Sequence, residues 1–108
     1  MTQLIKNGRE FHEALKVRGR VIVLFYTSWC PHSARFLPIF ERHAGKNETG
    51  FMRVLVDSEE SLSEKYSVAV VPTLIFFEKG QESKRLDGIP GMGINEYELT
   101  SLISACSL

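Results

Sequence analysis

Residues 21–26 constrain the fold more than any other part of the sequence. They are six consecutive apolar side chains, five of which are β-branched or aromatic. Such a run predicts a strand buried on both faces, which is typical of the centre of a sheet with helices packed on each side. Residues 51–57 and 73–77 are two further strand candidates, and helical patterns separate the three runs. We therefore expect an α/β protein.

The order of the predicted elements indicates a mixed sheet. Helices are predicted in four segments, at residues 9–18, 31–43, 58–66 and 97–103. Residues 78–81 predict a hairpin turn with Gly80 at a positive φ, followed by a polar edge strand at 83–87. Strand and helix alternation that ends in a hairpin predicts a central mixed sheet of four to five strands, flanked by helices on both faces.

Smaller features refine these boundaries. Leu4 and Ile5 are candidates for a short first strand. Pro38 lies inside the second helical pattern and is expected to kink that helix. Asp57 or Ser58 is expected to cap the third helix.

Size and charge restrict the class of protein. The chain has 108 residues with no repeat or linker, so we treat residues 1–108 as a single domain. Thirteen basic and thirteen acidic residues cancel, which argues against nucleic acid or a membrane as a partner. No apolar run approaches the roughly 18 residues that cross a bilayer. With two cysteines and no secretory leader pattern, we expect a cytoplasmic protein.

The sequence Trp-Cys-Pro-His-Ser at residues 29–33 carries the chemistry. Pro31 suits the first turn of a helix, so Cys30 is predicted to lie at a helix N-terminus, where N–H groups and the helix dipole favour a thiolate. Ser33 is expected to donate a hydrogen bond to the sulfur, and a protonated His32 would add positive charge. Cys30, Ser33 and His32 are therefore the candidate catalytic residues. Trp29 is expected to form a flat apolar platform at the rim of the site.

Three features at consistent spacing resemble the thioredoxin family over essentially the whole chain. They are the 29–33 sequence at a helix start, Pro38 inside that helix, and Val-Pro-Thr at residues 71–73 before a hairpin. The resemblance implies a thioredoxin fold and a cis Val71–Pro72 peptide bond beside Cys30.

The same resemblance implies a substrate groove. In the family, the backbone before the cis proline pairs with an extended substrate segment. Carried over to this chain, the pairing backbone is that of Val71 before Pro72. Trp29 and Pro31, on either side of Cys30, are the other two candidate substrate-binding residues.

Two departures from the family pattern bear on the mechanism. Ser33 stands where the second cysteine of the family is found, so a mixed disulfide on Cys30 has no internal thiol to resolve it. A dithiol Cys-Pro-His-Cys oxidoreductase whose second cysteine has been replaced by serine would have the same sequence. Leu24 stands where thioredoxins carry a buried Asp, which puts efficient proton transfer in doubt.

Thiol–disulfide exchange through one nucleophilic cysteine is the favoured function, which makes the chain an oxidoreductase with no cofactor and no metal. The expected partners are protein or small-molecule disulfides, together with an external thiol or a reductase that recycles a monomer. One alternative is a redox-inactive peptide-binding module. Another is an iron–sulfur carrier similar to monothiol glutaredoxins, which Trp29 and Pro31 disfavour because those sites use other residues.

The remaining candidates have plainer interpretations. Cys106 is expected to be a thiol in a frayed tail, because the last helix carries it roughly 18 Å away from the active end. His12 and His43 have no partners at metal-ligand spacing and are interpreted as structural. The glycine-rich segment 88–93 does not follow a strand in a phosphate-binding unit and is interpreted as a loop beside the site.

Overall fold

A computed structural model describes residues 1–45 and 47–108 of the chain. The elements within these residues are β1 (Gln3–Ile5), α1 (Gly8–Arg18), β2 (Arg20–Tyr26), α2 (Pro31–Ala44), a 3₁₀ turn (Glu48–Gly50), β3 (Phe51–Leu55), α3 (Glu60–Lys65), β4 (Thr73–Glu78), β5 (Gln81–Asp87) and α4 (Glu96–Cys106). The strands form one sheet in the order β1-β3-β2-β4-β5. None of the helices in the described part of the chain is long and apolar enough to cross a membrane.

β2 is the central strand, as its run of apolar residues predicted. It pairs in parallel with β3 and antiparallel with β4, so that Phe25 lies opposite Val54 on one side and Thr73 on the other. β1 extends the sheet in parallel beyond β3, and β5 is the antiparallel edge strand beyond β4. The predicted mixed α/β sheet of the thioredoxin fold is therefore confirmed, and Gly80 has the predicted positive φ, of 79°.

Alternate side chains of β2 pack into two separate hydrophobic cores, one on each face of the sheet. Leu24 packs with Phe36 and Phe40 of α2 and with Leu99 of α4 on one face of the sheet. On the other face, the core is formed with α1 and α3 and contains Phe11, Val23, Phe25 and Leu62. The two faces thus fix α2, the helix that carries the candidate site, against one side of β2.

The third helix differs from its predicted boundary. α3 begins at Glu60, and neither of the two predicted capping residues caps it. Asp57 instead accepts a hydrogen bond from Ser28, and the Ser58 hydroxyl donates to the carbonyl of Leu55. β3 ends at Leu55 because the chain turns there, so the predicted strand was two residues too long.

Candidate functional site

Cys30 is the N-cap residue of α2, with φ −81° and ψ 124°, and Pro31 occupies the first turn. Its thiol is free and partly exposed. Among the described residues, no first-turn amide donates a capping hydrogen bond to the Cys30 side chain. The thiol is thus placed at the positive end of a helix dipole and remains open to an approaching sulfur.

Ser33 points into the protein. Its side chain has no exposed surface, and its Oγ accepts a hydrogen bond from the Thr27 N–H at 3.3 Å. The expected hydrogen bond from Ser33 to the sulfur of Cys30 is absent from the described part of the chain. The serine instead ties the first turn of α2 to the end of β2, which fixes the loop that carries Cys30.

The Val71–Pro72 peptide bond is cis and directly precedes β4. Because β4 runs antiparallel to β2, with Thr73 opposite Phe25, the start of β4 and the end of β2 lie at the same edge of the sheet. Pro72 is buried and Val71 is partly exposed. The topology therefore brings the cis-proline loop and the Cys30 loop to one end of the molecule.

The 88–93 segment is a loop that lies beside the cis-proline segment and α2, as predicted. The N–H of Gly88 donates to the Pro72 carbonyl at 3.0 Å, and a Cβ at Gly88 would lie only 2.3 Å from that oxygen. At the other end of the loop, Gly93 has φ +76°, and a Cβ there would lie 3.0 Å from Cβ of His32. The loop therefore contacts both the cis-proline segment and α2, and glycine is required at both contacts.

Arg35 is a site residue that the sequence interpretation missed. Its Nη2 donates to the Met92 carbonyl at 2.7 Å and lies 3.5 Å from Nδ1 of His32. The available signal was its spacing, because residues three apart on a helix share a face. Arg35 thus links the partly buried His32 to the 88–93 loop.

Apolar side chains are exposed around this end of the sheet. Trp29 is 73% exposed, Met92 66% and Ile89 49%, and Pro31 is also exposed. A tryptophan with this exposure takes no part in the core. The loop that carries it is held by a hydrogen bond of 2.8 Å from the Ser28 hydroxyl to Asp57, a contact that no local sequence pattern predicts.

Neither a buried acid at position 24 nor a second nearby thiol supports Cys30. Leu24 is fully buried in the apolar core. Cys106 is also buried, at 2% exposure, so the predicted frayed tail is wrong, and burial raises the pKa of its thiol. Its carbonyl accepts a hydrogen bond from Arg20 at the start of β2, whereas Cys30 follows the end of that strand. A strand of seven residues spans about 20 Å, far beyond the reach of a disulfide.

The other two histidines make surface contacts. Nε2 of His12 lies 3.1 Å from Nζ of Lys65, and Nε2 of His43 lies 2.6 Å from a carboxylate oxygen of Glu96. The hydrogen bond with His43, followed by that with Arg42, lowers the pKa of Glu96. Across residues 1–45 and 47–108, no three His, Cys, Asp or Glu side chains are grouped to hold a metal ion.

Comparisons with known proteins agree with this geometry. A family model described as Thioredoxin matches residues 2–103. A thioredoxin from Mycoplasmoides gallisepticum is 35% identical over 94 residues, which cover 85% of this chain and 94% of that protein. A thioredoxin from Coprinus comatus is 32% identical over 107 residues, 95% of each chain. The structure of Fasciola hepatica thioredoxin superposes with a TM-score of 0.87 at 27% identity, covering 97% of this chain and 99% of that one.

Proposed function

Because the chain belongs to the thioredoxin family, whose general chemistry is thiol–disulfide oxidoreduction, we propose that it exchanges disulfides through Cys30 alone. The observation that carries this proposal is a free, partly exposed Cys30 at the N-cap of α2. The position of a second thiol is occupied by the buried Ser33, and Cys106 lies near the start of β2, at the opposite end of the sheet from Cys30. One sulfur is therefore available for exchange.

The reaction is a two-step exchange that conserves electrons. The Cys30 thiolate attacks one sulfur of a substrate disulfide, a new S–S bond forms to Cys30, and the substrate S–S bond breaks. The leaving sulfur departs as a thiolate and takes a proton from solvent. An external thiolate then attacks the substrate sulfur of the mixed disulfide, forms a new S–S bond to it and releases Cys30 as a thiolate. No cofactor enters, because the electron pairs move only between sulfur atoms.

The shape of the site supports an extended peptide as the substrate. Val71 is partly exposed beside the cis bond to Pro72, at the sheet edge from which the Cys30 loop emerges. We propose that the backbone at Val71 pairs with the segment that contains the disulfide, in the manner of strand addition. The exposed side chains of Trp29 and Pro31 would pack against its apolar groups.

The recycling partner follows from the missing resolving thiol. Either a low-molecular-weight thiol or a protein reductase must supply the second sulfur. External thiols are abundant in a reducing compartment, so we propose that the protein works in the cytoplasm. We also propose that it works as a monomer.

Trapping the mixed disulfide tests this function. The test protein carries Cys106→Ala, which leaves one thiol without placing a hydroxyl in the apolar core. Mixing it with a peptide disulfide is expected to release one equivalent of peptide thiol and to leave a stable adduct, visible by mass spectrometry. Cys30→Ser in the same background is the control and should form no adduct.

A second variant tests the absence of a resolving thiol. Adding Ser33→Cys is expected to release the second peptide and to leave an internal disulfide between positions 30 and 33. If the protein binds the reduced peptide but never forms the adduct, the exchange function is wrong and a redox-inactive peptide-binding module takes its place.

A further inference from the structure

Arg35 joins the helix that carries Cys30 to the 88–93 loop. A single nitrogen, Nη2, makes both contacts: 2.7 Å to the Met92 carbonyl and 3.5 Å to Nδ1 of His32. Arg35 also lines a cavity of about 370 Å³ between α2 and this loop, whose walls include Ile89 and Met92. The side chain therefore lies between the reactive helix turn and the exposed apolar residues of the loop.

We propose that Arg35 is a positioning residue for disulfide exchange, which fixes His32 in the Nε2–H tautomer and holds the 88–93 loop as one wall of the substrate groove. This inference rests on the proposed function of Cys30. Arg35 acts through His32 and Met92 and forms no bond to the reacting sulfurs.

The tautomer follows from the donor and acceptor chemistry of the two side chains. A guanidinium group has N–H donors and no acceptor, so its close approach to Nδ1 is favourable only when Nδ1 offers a lone pair. A neutral imidazole carries one proton, which must then be on Nε2. Gly93 permits this arrangement, because a side chain there would crowd both His32 and Arg35.

The loop is a compact turn that two hydrogen bonds attach to the rest of the site. The N–H groups of Met92 and Gly93 both donate to the Ile89 carbonyl, at 2.9 and 2.8 Å, which makes a tight turn. One attachment is the hydrogen bond from Gly88 to Pro72, and the other is Arg35 to Met92. Losing the second attachment would let the exposed side chains of Ile89 and Met92 shift relative to Cys30.

The test compares Arg35→Met with Arg35→Lys, in the Cys106→Ala background. Arg9→Met is the matched control, because Arg9 forms an exposed pair with Glu13 on α1, which packs on the opposite face of the sheet. One readout is the pair of ¹⁵N shifts of His32, which distinguishes the tautomers. The other is the ratio of two second-order rate constants, for a neutral peptide disulfide and for the small neutral reagent 4,4′-dithiodipyridine. The ratio cancels any effect of charge on the thiolate, since both reagents meet the same sulfur.

In the parent protein, His32 is expected to show a proton on Nε2 and an unprotonated Nδ1. Arg35→Met is expected to mix the tautomers and to lower the rate ratio roughly fivefold, the effect of losing one hydrogen bond of ordinary net strength. Arg35→Lys should restore both the single tautomer and the rate ratio, because one ammonium group can donate to the Met92 carbonyl and to Nδ1 of His32, as Nη2 of Arg35 does. Arg9→Met should change neither.

Two results would overturn the proposal: a proton on Nδ1 in the parent protein, or a rate ratio that Arg35→Met leaves unchanged. Failure of the parent protein to form a mixed disulfide with either reagent would instead overturn the proposed function. The His32 shifts would still decide the tautomer in that case.

Discussion

Replacing Gly88 by alanine tests the contact that joins the 88–93 loop to the cis-proline segment. The new Cβ would lie 2.3 Å from the Pro72 carbonyl oxygen, well inside the 3.0 Å that real Cβ contacts essentially never cross. The Pro72 carbonyl belongs to the backbone and the position of a Cβ is fixed by its own backbone, so no side-chain rotation relieves the clash. One of the two segments must move, and the hydrogen bond of 3.0 Å from Gly88 to Pro72 is lost as it does.

The expected loss of stability combines these two effects. Overpacking of this kind costs about 1–3 kcal/mol, and the lost hydrogen bond about 1 kcal/mol. Gly88→Ala should therefore lower the free energy of unfolding by about 2–4 kcal/mol and Tm by roughly 10–20 °C. A domain of ordinary stability would still fold, since about 5–15 kcal/mol is typical.

Urea unfolding followed by far-UV circular dichroism measures this change. Fluorescence is a poor probe, because the single tryptophan, Trp29, is already 73% exposed in the folded protein. Gly8→Ala is the matched control: it lies in the first turn of α1, with no atom within 4 Å of the new Cβ. That variant should gain up to about 0.5 kcal/mol. Equal urea midpoints for Gly88→Ala and the parent protein would show that the loop does not approach Pro72 as closely as described.

Two further predictions concern buried residues of the core, Cys106 and Leu24. Burial raises the pKa of the Cys106 thiol, so the folded state holds this proton more tightly than the unfolded state. The associated stability is fully present below the ordinary thiol pKa of 9.0 and is lost as the pH rises towards the raised value. The urea midpoint should thus fall less between pH 7 and pH 10 in Cys106→Ala than in the parent protein. An equal fall in the two proteins would contradict the burial of Cys106. Leu24→Asp should lower the free energy of unfolding by about 3 kcal/mol or more at pH 8, and by less at pH 4.5, where the acid is neutral. Leu24→Asn should lower it by the same amount at both pH values. If Leu24→Asp and Leu24→Asn are equally stable at both pH values, full burial of this position is contradicted.

Local sequence patterns predicted the parts of the fold that depend on burial and turn chemistry. The continuous apolar run of β2 can be satisfied only in a covered central strand, and Pro31 sets the start of α2 directly after Cys30. Gly80 likewise predicted the hairpin turn, because glycine adopts the positive φ that the turn requires. These signals lie within a few residues of the structures that they specify.

The contacts that shape the candidate site join distant residues and leave no periodic trace. Ser28 and Asp57 are 29 positions apart, and Arg35 and the Met92 carbonyl are 57 positions apart. A polar side chain on an exposed surface has many partners of similar chemistry, so only the assembled fold selects one. The predicted cap of α3 was wrong because the helix begins at Glu60, and the Asp57 carboxylate instead accepts a hydrogen bond from Ser28 of another loop.

The burial of Ser33 follows from the helical pattern of the sequence. This serine shares the spacing of the buried residues Phe36, Phe40 and Ala44 on α2, so its side chain belongs to the covered face of the helix. A serine that is fully buried and accepts a hydrogen bond from the Thr27 N–H supplies no thiol to resolve an adduct on Cys30. The proposed exchange therefore relies on an external thiol that attacks the mixed disulfide at the exposed side of Cys30, and the supply of such thiols would set the lifetime of the adduct. Because serine and cysteine differ only in one side-chain atom, oxygen or sulfur, the Ser33→Cys variant tests whether the proposed exchange through a single thiol depends on that atom.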